Sequence, residues 1–165
     1  MPTSHMTHGM RSPEIVLRAL NVELTQALAQ ATDPRLAAVR LQWWRDQVDV
    51  ALRSERVPDH PVLRALQQLH LHRPLSKYRL HRLVDARAAE AGGGGQPETL
   101  GDLEGAAEAV ESSTNYLIAE ACGVGSRDLD HALSHLGKAT GMALALAGTV
   151  PGLARGSVSL PRDLW

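Results

Sequence analysis

His131 and His135 are the residues whose spacing comes nearest to a metal site. They stand four positions apart in the run HALSH, which lets two imidazoles on one helix face share a zinc ion. A hydrolytic zinc site would carry a general-base Glu after the first His, as in H-E-x-x-H, and that position is Ala132 here. No third ligand is evident. We therefore predict no metal site, and interpret the pair as histidines that lie on a helix surface or are buried with hydrogen bonds.

Other patterns that carry chemistry are missing from the sequence. His70 and His72 are two residues apart and diverge on a helix. No nucleophile elbow of the form G-x-S-x-G occurs, and no Rossmann or P-loop pattern follows a strand. Most acids stand beside basic residues on charged helix faces, an arrangement unlike paired carboxylates for acid–base work. The residues alone therefore indicate a helical domain without a catalytic centre or a cofactor.

The composition is typical of one soluble domain. With 165 residues, of which 44% are hydrophobic and 21% charged, the chain can bury a core. A formal charge of -1 gives no electrostatic footprint for nucleic acid. We predict no transmembrane segment, because Pro151 interrupts the longest apolar run, 141–154. The single cysteine, Cys122, lies in the apolar run AEACGV and is predicted to be buried.

The start and stop signals along the chain predict an all-α fold. Proline follows a capping residue at 12–13, 33–34 and 60–61, and Thr99 begins a capping box. These signals predict helices that begin near 13, 34, 61, 75, 99 and 128, the fifth running to Cys122. The last helix should end in a loop, AGTVPG, before Leu160-Pro161. We expect a disordered N-terminal segment at 1–11 and a flexible Gly-rich loop at 91–98.

The second helix carries two adjacent tryptophans, Trp43 and Trp44. Neighbouring helix residues point about 100° apart, so the two rings cannot both face one core stripe. The apolar spacing predicts a buried face made of Leu36, Val39, Trp43 and Val50. The other ring is then expected at a second helix contact, in a pocket or against a partner.

Several motifs resemble those of the squalene/phytoene synthase-like superfamily. They are ALNVELTQA at 19–27, RLQWWRDQVD at 40–49, ESSTNYL at 111–117, and HALSHLGKATG with the terminal RGSVSLP. The resemblance covers roughly 11–164 and is closest to a mitochondrial branch of complex I assembly factors. It implies the isoprenoid-synthase fold, an antiparallel helical bundle around a central cavity. It also implies that 12–165 is a partial domain, the N-terminal half of that bundle.

The resemblance also bears on catalysis, because active members bind a magnesium-bridged diphosphate through two Asp-rich motifs that face the cavity. The aligned positions of those aspartates are Thr25, Gln26 and Ala29 in the first motif, and Gly148 and Gly152 in the second. None is acidic, and no Asp or Glu lies between Asp130 and Asp163. The resemblance therefore implies a non-catalytic member that binds no metal or cofactor at these positions.

The implied role is support of the assembly of respiratory complex I, on the matrix side of the mitochondrial inner membrane. The expected partners are complex I subunits or other assembly factors, with peripheral association with the inner membrane. The first 13 residues form only a weak import signal. The candidate contact residues are Asn21, Glu23, Arg40, Trp43, Trp44 and Lys138. The alternatives are a prenyl transferase that acts on isoprenoid diphosphates and an inactive truncated fragment.

Overall fold

A computed structural model describes residues 12–91, 96–153 and 158–164. Within these ranges the chain is all-α, as predicted, and contains no strand. A π-helical turn, Glu108–Ser112, which we call the π turn, connects α5 to α6, and a short 3₁₀ helix covers Arg162–Leu164. The α-helices are α1 Pro13–Ala29, α2 Pro34–Leu52, α3 Pro61–His72, α4 Lys77–Ala91, α5 Leu100–Ala107, α6 Ser113–Cys122 and α7 Arg127–Leu153.

Two predicted segments fall wholly or partly outside the described residues. The N-terminal segment 1–11 lies outside them, as do residues 92–95 of the Gly-rich loop. The described end of that loop is held by the C-terminal segment, because the amide of Arg162 donates to the carbonyl of Pro97 at 2.9 Å. Among the described helices, none combines the length and the hydropathy of a membrane span.

Helix starts follow the proline and capping signals in the sequence. The Asp33 carboxylate accepts a hydrogen bond from the Leu36 amide at 2.9 Å, and His60 Nδ1 accepts one from the Val62 amide at 3.3 Å. Thr99 and Asp102 form the reciprocal capping box. Ser12 occupies the N-cap position of α1 but makes no side-chain cap hydrogen bond. These local signals fixed where α2, α3 and α5 begin.

The core lies among α1, α2, α3, α4 and α6, with α1 packed against the other four. On α1, Val16, Leu20 and Leu24 are buried at four-residue steps, whereas Leu28 is only partly buried. Burying one leucine side chain contributes about 1.5–3 kcal/mol. The leucines that are fully buried include Leu17, Leu20, Leu24, Leu41, Leu63, Leu66, Leu80, Leu83 and Leu117.

The predicted buried face of α2 was wrong. Val39 is 66% exposed and Trp43 is 42% exposed, whereas Trp44 is only 5% exposed. Apolar residues occur on both sides of this helix, so spacing alone did not identify the side that meets α1, α3 and α4. The face that packs there is one residue further round the helix and consists of Ala37, Leu41, Trp44, Val48 and Ala51.

The predicted fifth helix is interrupted by the π turn, which the sequence did not indicate. Its last residue, Ser112, is fully buried, and the Ser112 hydroxyl donates to the Ser134 carbonyl of α7 at 3.1 Å. α7 approaches so closely here that a Cβ added to Gly137 would overlap Ser112 and lie 2.6 Å from its Cα. One turn later, a Cβ on Gly141 would lie 2.9 Å from the Ala107 Cα. The two glycines therefore permit close packing of α7 on α5 and the π turn.

The last helix continues further than predicted. The segment AGTVPG is helical through Leu153, and Pro151 lies inside α7 near its C-terminal end. A proline there removes one late backbone hydrogen bond, which is less costly than the same loss in mid-helix. Cys122 was also predicted wrongly, because the end of α6 leaves it exposed.

α7 presents an apolar stripe to solvent. Its apolar residues alternate at three and four positions, the spacing that lets one helix seat against another. The charges of α7 lie on Arg127, Asp128, Asp130 and Lys138, so the helix is uncharged after Lys138. We call this surface the α7 stripe, and its exposed members are Ala132, Leu136, Ala139, Ala143, Leu146, Val150 and Leu153.

Candidate functional site

The α1–α2 cleft is an open depression of about 420 Å³ between these two helices. Its volume is at the lower end of the roughly 300–1,000 Å³ typical of small-ligand sites. The lining combines amides, one carboxylate, one guanidinium and indole rings. The lining residues are Glu23, Gln26, Ala27, Gln30, Val39, Arg40, Trp43 and Trp44.

The tryptophan pair forms one wall of the cleft. The rings of Trp43 and Trp44 meet edge to face, with centroids 5.3 Å apart and planes at 83°. The Trp44 ring also meets the His60 ring at 5.1 Å and 86°. Edge-to-face pairs contribute about 0.5–1.5 kcal/mol beyond the area that they bury. Trp44 is thus held in place by α3, while Trp43 keeps an exposed face.

Glu23 lies next to the same histidine. His60 Nδ1 accepts a hydrogen bond from the Val62 amide, which in a neutral imidazole leaves the ring hydrogen on Nε2. That Nε2 lies 3.8 Å from the Glu23 carboxylate, beyond hydrogen-bonding distance, and the two groups form an ion pair only when the imidazole is protonated. His60, at the start of α3, thus adjoins Glu23 of α1 and Trp44 of α2 beside the cleft.

Arg40 brings a positive charge into the cleft. No carboxylate of the described residues lies within 4.0 Å of its guanidinium, and its Nη1 is buried without a hydrogen-bond partner among them. Arg87 makes a useful contrast, because its guanidinium pairs with Glu90 at 2.8 Å and with the Asn21 side chain at 2.9 Å. The charge of Arg87 is thus paired within the fold, although its Nε also lacks a hydrogen-bond partner among the described residues, whereas the charge of Arg40 has no paired carboxylate among them.

The other two candidate contact residues lie elsewhere and make internal contacts. Asn21 accepts from Arg87 and thereby ties α1 to α4. Lys138 lies on α7, with its Nζ 3.6 Å from the Glu108 carboxylate of the π turn. Four of the six candidates therefore meet at the α1–α2 cleft, while these two hold helices together.

Glu108 is the centre of a polar cluster that joins the π turn to α6 and α7. It accepts hydrogen bonds from the Ser134 hydroxyl at 2.6 Å and from the Tyr116 hydroxyl at 3.1 Å. Burial alone would raise the pKa of Glu108, but the two donors and the Lys138 charge outweigh it and hold that pKa below 4.5. The carboxylate is therefore stabilised in its charged form. Glu108 thus holds α6 and α7 against the π turn through Tyr116, Ser134 and Lys138, and we call these four residues the Glu108 clasp.

The positions that the sequence resemblance suggested for the synthase aspartates lie on two helices. On α1, Gln26 lines the cleft, whereas Ala29 is exposed and the Thr25 hydroxyl donates to the Asn21 carbonyl at 2.9 Å. On α7, Gly152 is buried, and a Cβ added to Gly148 would meet no atom within 4 Å. Side chains larger than hydrogen would thus fit at position 148.

The histidine pair lies on the surface, as one of the two interpretations had it. His131 and His135 are both exposed, and their rings meet edge to face with centroids 4.6 Å apart. Within 12–91, 96–153 and 158–164, no group of three or more His, Cys, Asp or Glu side chains is placed to hold a metal ion.

Sequence reasoning missed four residues of the cleft and its support. Val39 was assigned to the core, Ala27 and Gln30 were not considered, and His60 was considered only as the residue before a helix-starting proline. The spacing of Glu23, Gln26 and Gln30 along α1 places them on one face, which could have revealed the α1 side of the cleft. The role of His60 could not be read locally, because it depends on how α3 packs against α2.

Comparisons with known proteins give a consistent picture. A family model described as squalene/phytoene synthase matches residues 3–165. A Drosophila melanogaster protein named NADH dehydrogenase (ubiquinone) complex I, assembly factor 6 homolog is 39% identical over 83% of this chain and 42% of its own length. The assembly factor 6 proteins of Bos taurus and Homo sapiens are 33% and 32% identical, each over 93% of this chain and 46% of their own. The chain thus spans less than half the length of these relatives. No solved structure matches.

Proposed function

This chain belongs to the squalene/phytoene synthase family, and we propose that it is a non-catalytic member that supports the assembly of mitochondrial respiratory complex I. It acts on the matrix side of the inner membrane, where it binds complex I subunits or other assembly factors. The α1–α2 cleft and the α7 stripe are the surfaces offered for that binding.

The names of the curated relatives support the assembly role. Proteins from an insect, mammals and Dictyostelium discoideum, at 30–39% identity over most of this chain, carry the name of one complex I assembly factor or its homolog. Proteins that share most of this chain's sequence are therefore named for assembly.

The non-catalytic proposal rests on the absence of acidic side chains at the positions where the resemblance would place the synthase aspartates. Magnesium prefers hard oxygen ligands, and a diphosphate needs such cations to stabilise its departure. Thr25, Gln26 and Ala29 on α1 offer no carboxylate, and neither do Gly148 and Gly152 on α7. Glu23, on the cleft side of α1, is a single carboxylate with the His60 ring 3.8 Å away. Catalysis by ionisation of a diphosphate would have to proceed without these carboxylates.

The α7 stripe supports a binding role. Contiguous apolar surface on a protein marks an interaction site more often than chance. Alanines at 132, 139 and 143 let a neighbouring backbone come close, while Leu136, Leu146 and Val150 supply contact area. This pattern fits another α-helix better than a strand or a small molecule.

The main alternative, prenyl transfer, is tested by diphosphate release. Purified protein is mixed with magnesium and farnesyl diphosphate, and the released diphosphate is measured against an active family member as the positive control. We expect release at the rate of the protein-free control. Magnesium-dependent release that rises with the protein concentration would contradict the non-catalytic proposal. An assembly factor must also raise the amount of assembled complex I in cells that lack its relative, which a native gel measures.

A further inference from the structure

The unpaired guanidinium of Arg40 is the feature of the cleft that the fold itself does not explain. Arg40 lines the cleft and is only partly buried, and its guanidinium has no carboxylate within 4.0 Å among the described residues. Its Nη1 is enclosed by the fold and has no hydrogen-bond partner among them. Shielding a charged group from water is costly unless the group is paired, so an anion in the cleft that meets the accessible part of the guanidinium would stabilise it.

The surroundings of Arg40 restrict the size and polarity of that anion. Trp43, one turn further along α2, presents a half-exposed ring at the same wall, and Val39 adds an exposed apolar side chain. Gln26 and Gln30 on the α1 side offer amides that can donate or accept. The cleft therefore suits a ligand with one charged group and an adjoining apolar part.

The charge balance of the cleft favours a single carboxylate. Arg40 is its one cation, and the Glu23 carboxylate on the facing wall repels anions. A diphosphate carries several negative charges, and a single guanidinium would not balance them while the Glu23 carboxylate repels them. A carboxylate carries one charge and matches the planar fork of an arginine in two parallel hydrogen bonds.

We propose that the α1–α2 cleft binds an acidic side chain of a partner protein through Arg40, with an apolar neighbour of that side chain seated against Trp43. The identification of the ligand as a protein segment rests on the proposed assembly role. Arginine and tryptophan are the residues that most often dominate binding energy at protein interfaces. The partner residue would thus be an Asp or Glu next to a large apolar residue.

The test is a titration of the purified chain with short peptide probes, followed by NMR of the tryptophan indole N–H signals. The probe is acetyl-Glu-Leu-amide, and the matched neutral probe is acetyl-Gln-Leu-amide. Trp43→Phe identifies the Trp43 signal. We expect a saturable shift of that signal, with the acidic probe binding about tenfold more tightly than the neutral one, as for a charge-assisted hydrogen bond.

Two variants separate a specific pair from general charge. Arg40→Gln should abolish the preference for the acidic probe, while Arg35→Gln should retain it, because Arg35 is exposed on the same helix and does not line the cleft. Circular dichroism and thermal unfolding verify that both variants fold. Loss of the preference in both variants would overturn the assignment to Arg40.

Three further outcomes would overturn the proposal. They are equal affinity for the two probes, no saturable shift up to about 20 mM probe, and tighter binding of inorganic pyrophosphate than of the acidic probe. The last would assign the cleft to a phosphorylated ligand. If probe binding depends on Arg40 but the chain fails to support complex I assembly, the site stands and the assembly role fails.

Discussion

Gly137 offers the sharpest test of how α7 packs, because Gly148 on the same helix provides a matched control. A Cβ at position 137 would overlap Ser112 of the π turn, including backbone atoms that cannot rotate away, whereas one at 148 would meet nothing within 4 Å. Both positions are inside α7. The pair Gly137→Ala and Gly148→Ala therefore separates packing from helix propensity.

The expected difference follows from two opposing contributions. Alanine is about 1 kcal/mol more favourable than glycine inside a helix, and both variants gain this. The new Cβ of Gly137→Ala would lie 2.6 Å from the Ser112 Cα, and it needs about 3.5 Å or more, so α7 and the π turn must separate by about 0.9 Å. Such overpacking costs about 1–3 kcal/mol. The gain in helix propensity is common to both variants and cancels. Gly137→Ala should therefore be less stable than Gly148→Ala by the overpacking cost of about 1–3 kcal/mol.

The assay is urea unfolding followed by far-UV circular dichroism, with the thermal midpoint as a second measure. For a chain of this size, 1 kcal/mol corresponds to about 2–4 °C in midpoint. Gly148→Ala should be at least as stable as the parent chain, and Gly137→Ala less stable than Gly148→Ala. Equal stability of the two variants would refute the close approach of α7 to Ser112.

Three further predictions concern other parts of the fold. Leu41→Ala should cost about 2–5 kcal/mol of unfolding free energy and Val39→Ala almost nothing, as the corrected α2 face requires; equal losses would refute that face. The Glu108 pKa is lower in the folded chain than its ordinary 4.5, so this group stabilises the fold above that pH and the stabilisation is lost as pH falls through the lowered pKa. Glu108→Gln should therefore lower stability at pH 7 and flatten its fall below about pH 4.5 in acid titrations; an unchanged acid profile would contradict the Glu108 clasp. Leu146→Glu on the α7 stripe should leave the unfolding free energy within about 0.5 kcal/mol of the parent but lower the amount of complex I assembled in a rescue assay on native gels, and a large loss of stability would place Leu146 in the core.

Helix starts could be predicted because their causes are local. Asp33-Pro34 and His60-Pro61 place a capping side chain before a proline, and both helices begin there. The capping box at Thr99 acts in the same way, within four residues. Signals of this kind are complete in the sequence and need no information about packing.

The face of α2 and the π turn could not be predicted because their causes lie on other helices. α2 is apolar on two sides, and only its neighbours decide that Leu41 and Trp44 are buried while Val39 is exposed. The π turn is seated against the glycine backbone of α7, more than twenty residues later in the chain. α7 likewise continues through Pro151, although a proline usually ends or kinks a helix.

The candidate site was predicted in part. Residue types and family motifs pointed to Arg40, Trp43, Trp44 and Glu23, and the structure brings these four to one cleft. Asn21 and Lys138 came from the same motifs but pair with Arg87 and with the Glu108 clasp. A motif alone does not tell whether a residue is in contact with another helix or is open to a partner. The packing of the helices makes that distinction.

Rescue of complex I assembly tests the central claim most directly. In Drosophila cells that lack the assembly factor 6 homolog, this chain would replace the stretch of that protein which it matches, and assembled complex I would be measured on native gels. The full-length relative is the positive control, and the steady-state level of the chimera shows whether it folds. We predict that the chimera restores assembled complex I without releasing diphosphate from farnesyl diphosphate. A stable chimera that leaves complex I unassembled, beside a relative that restores it, would contradict the account.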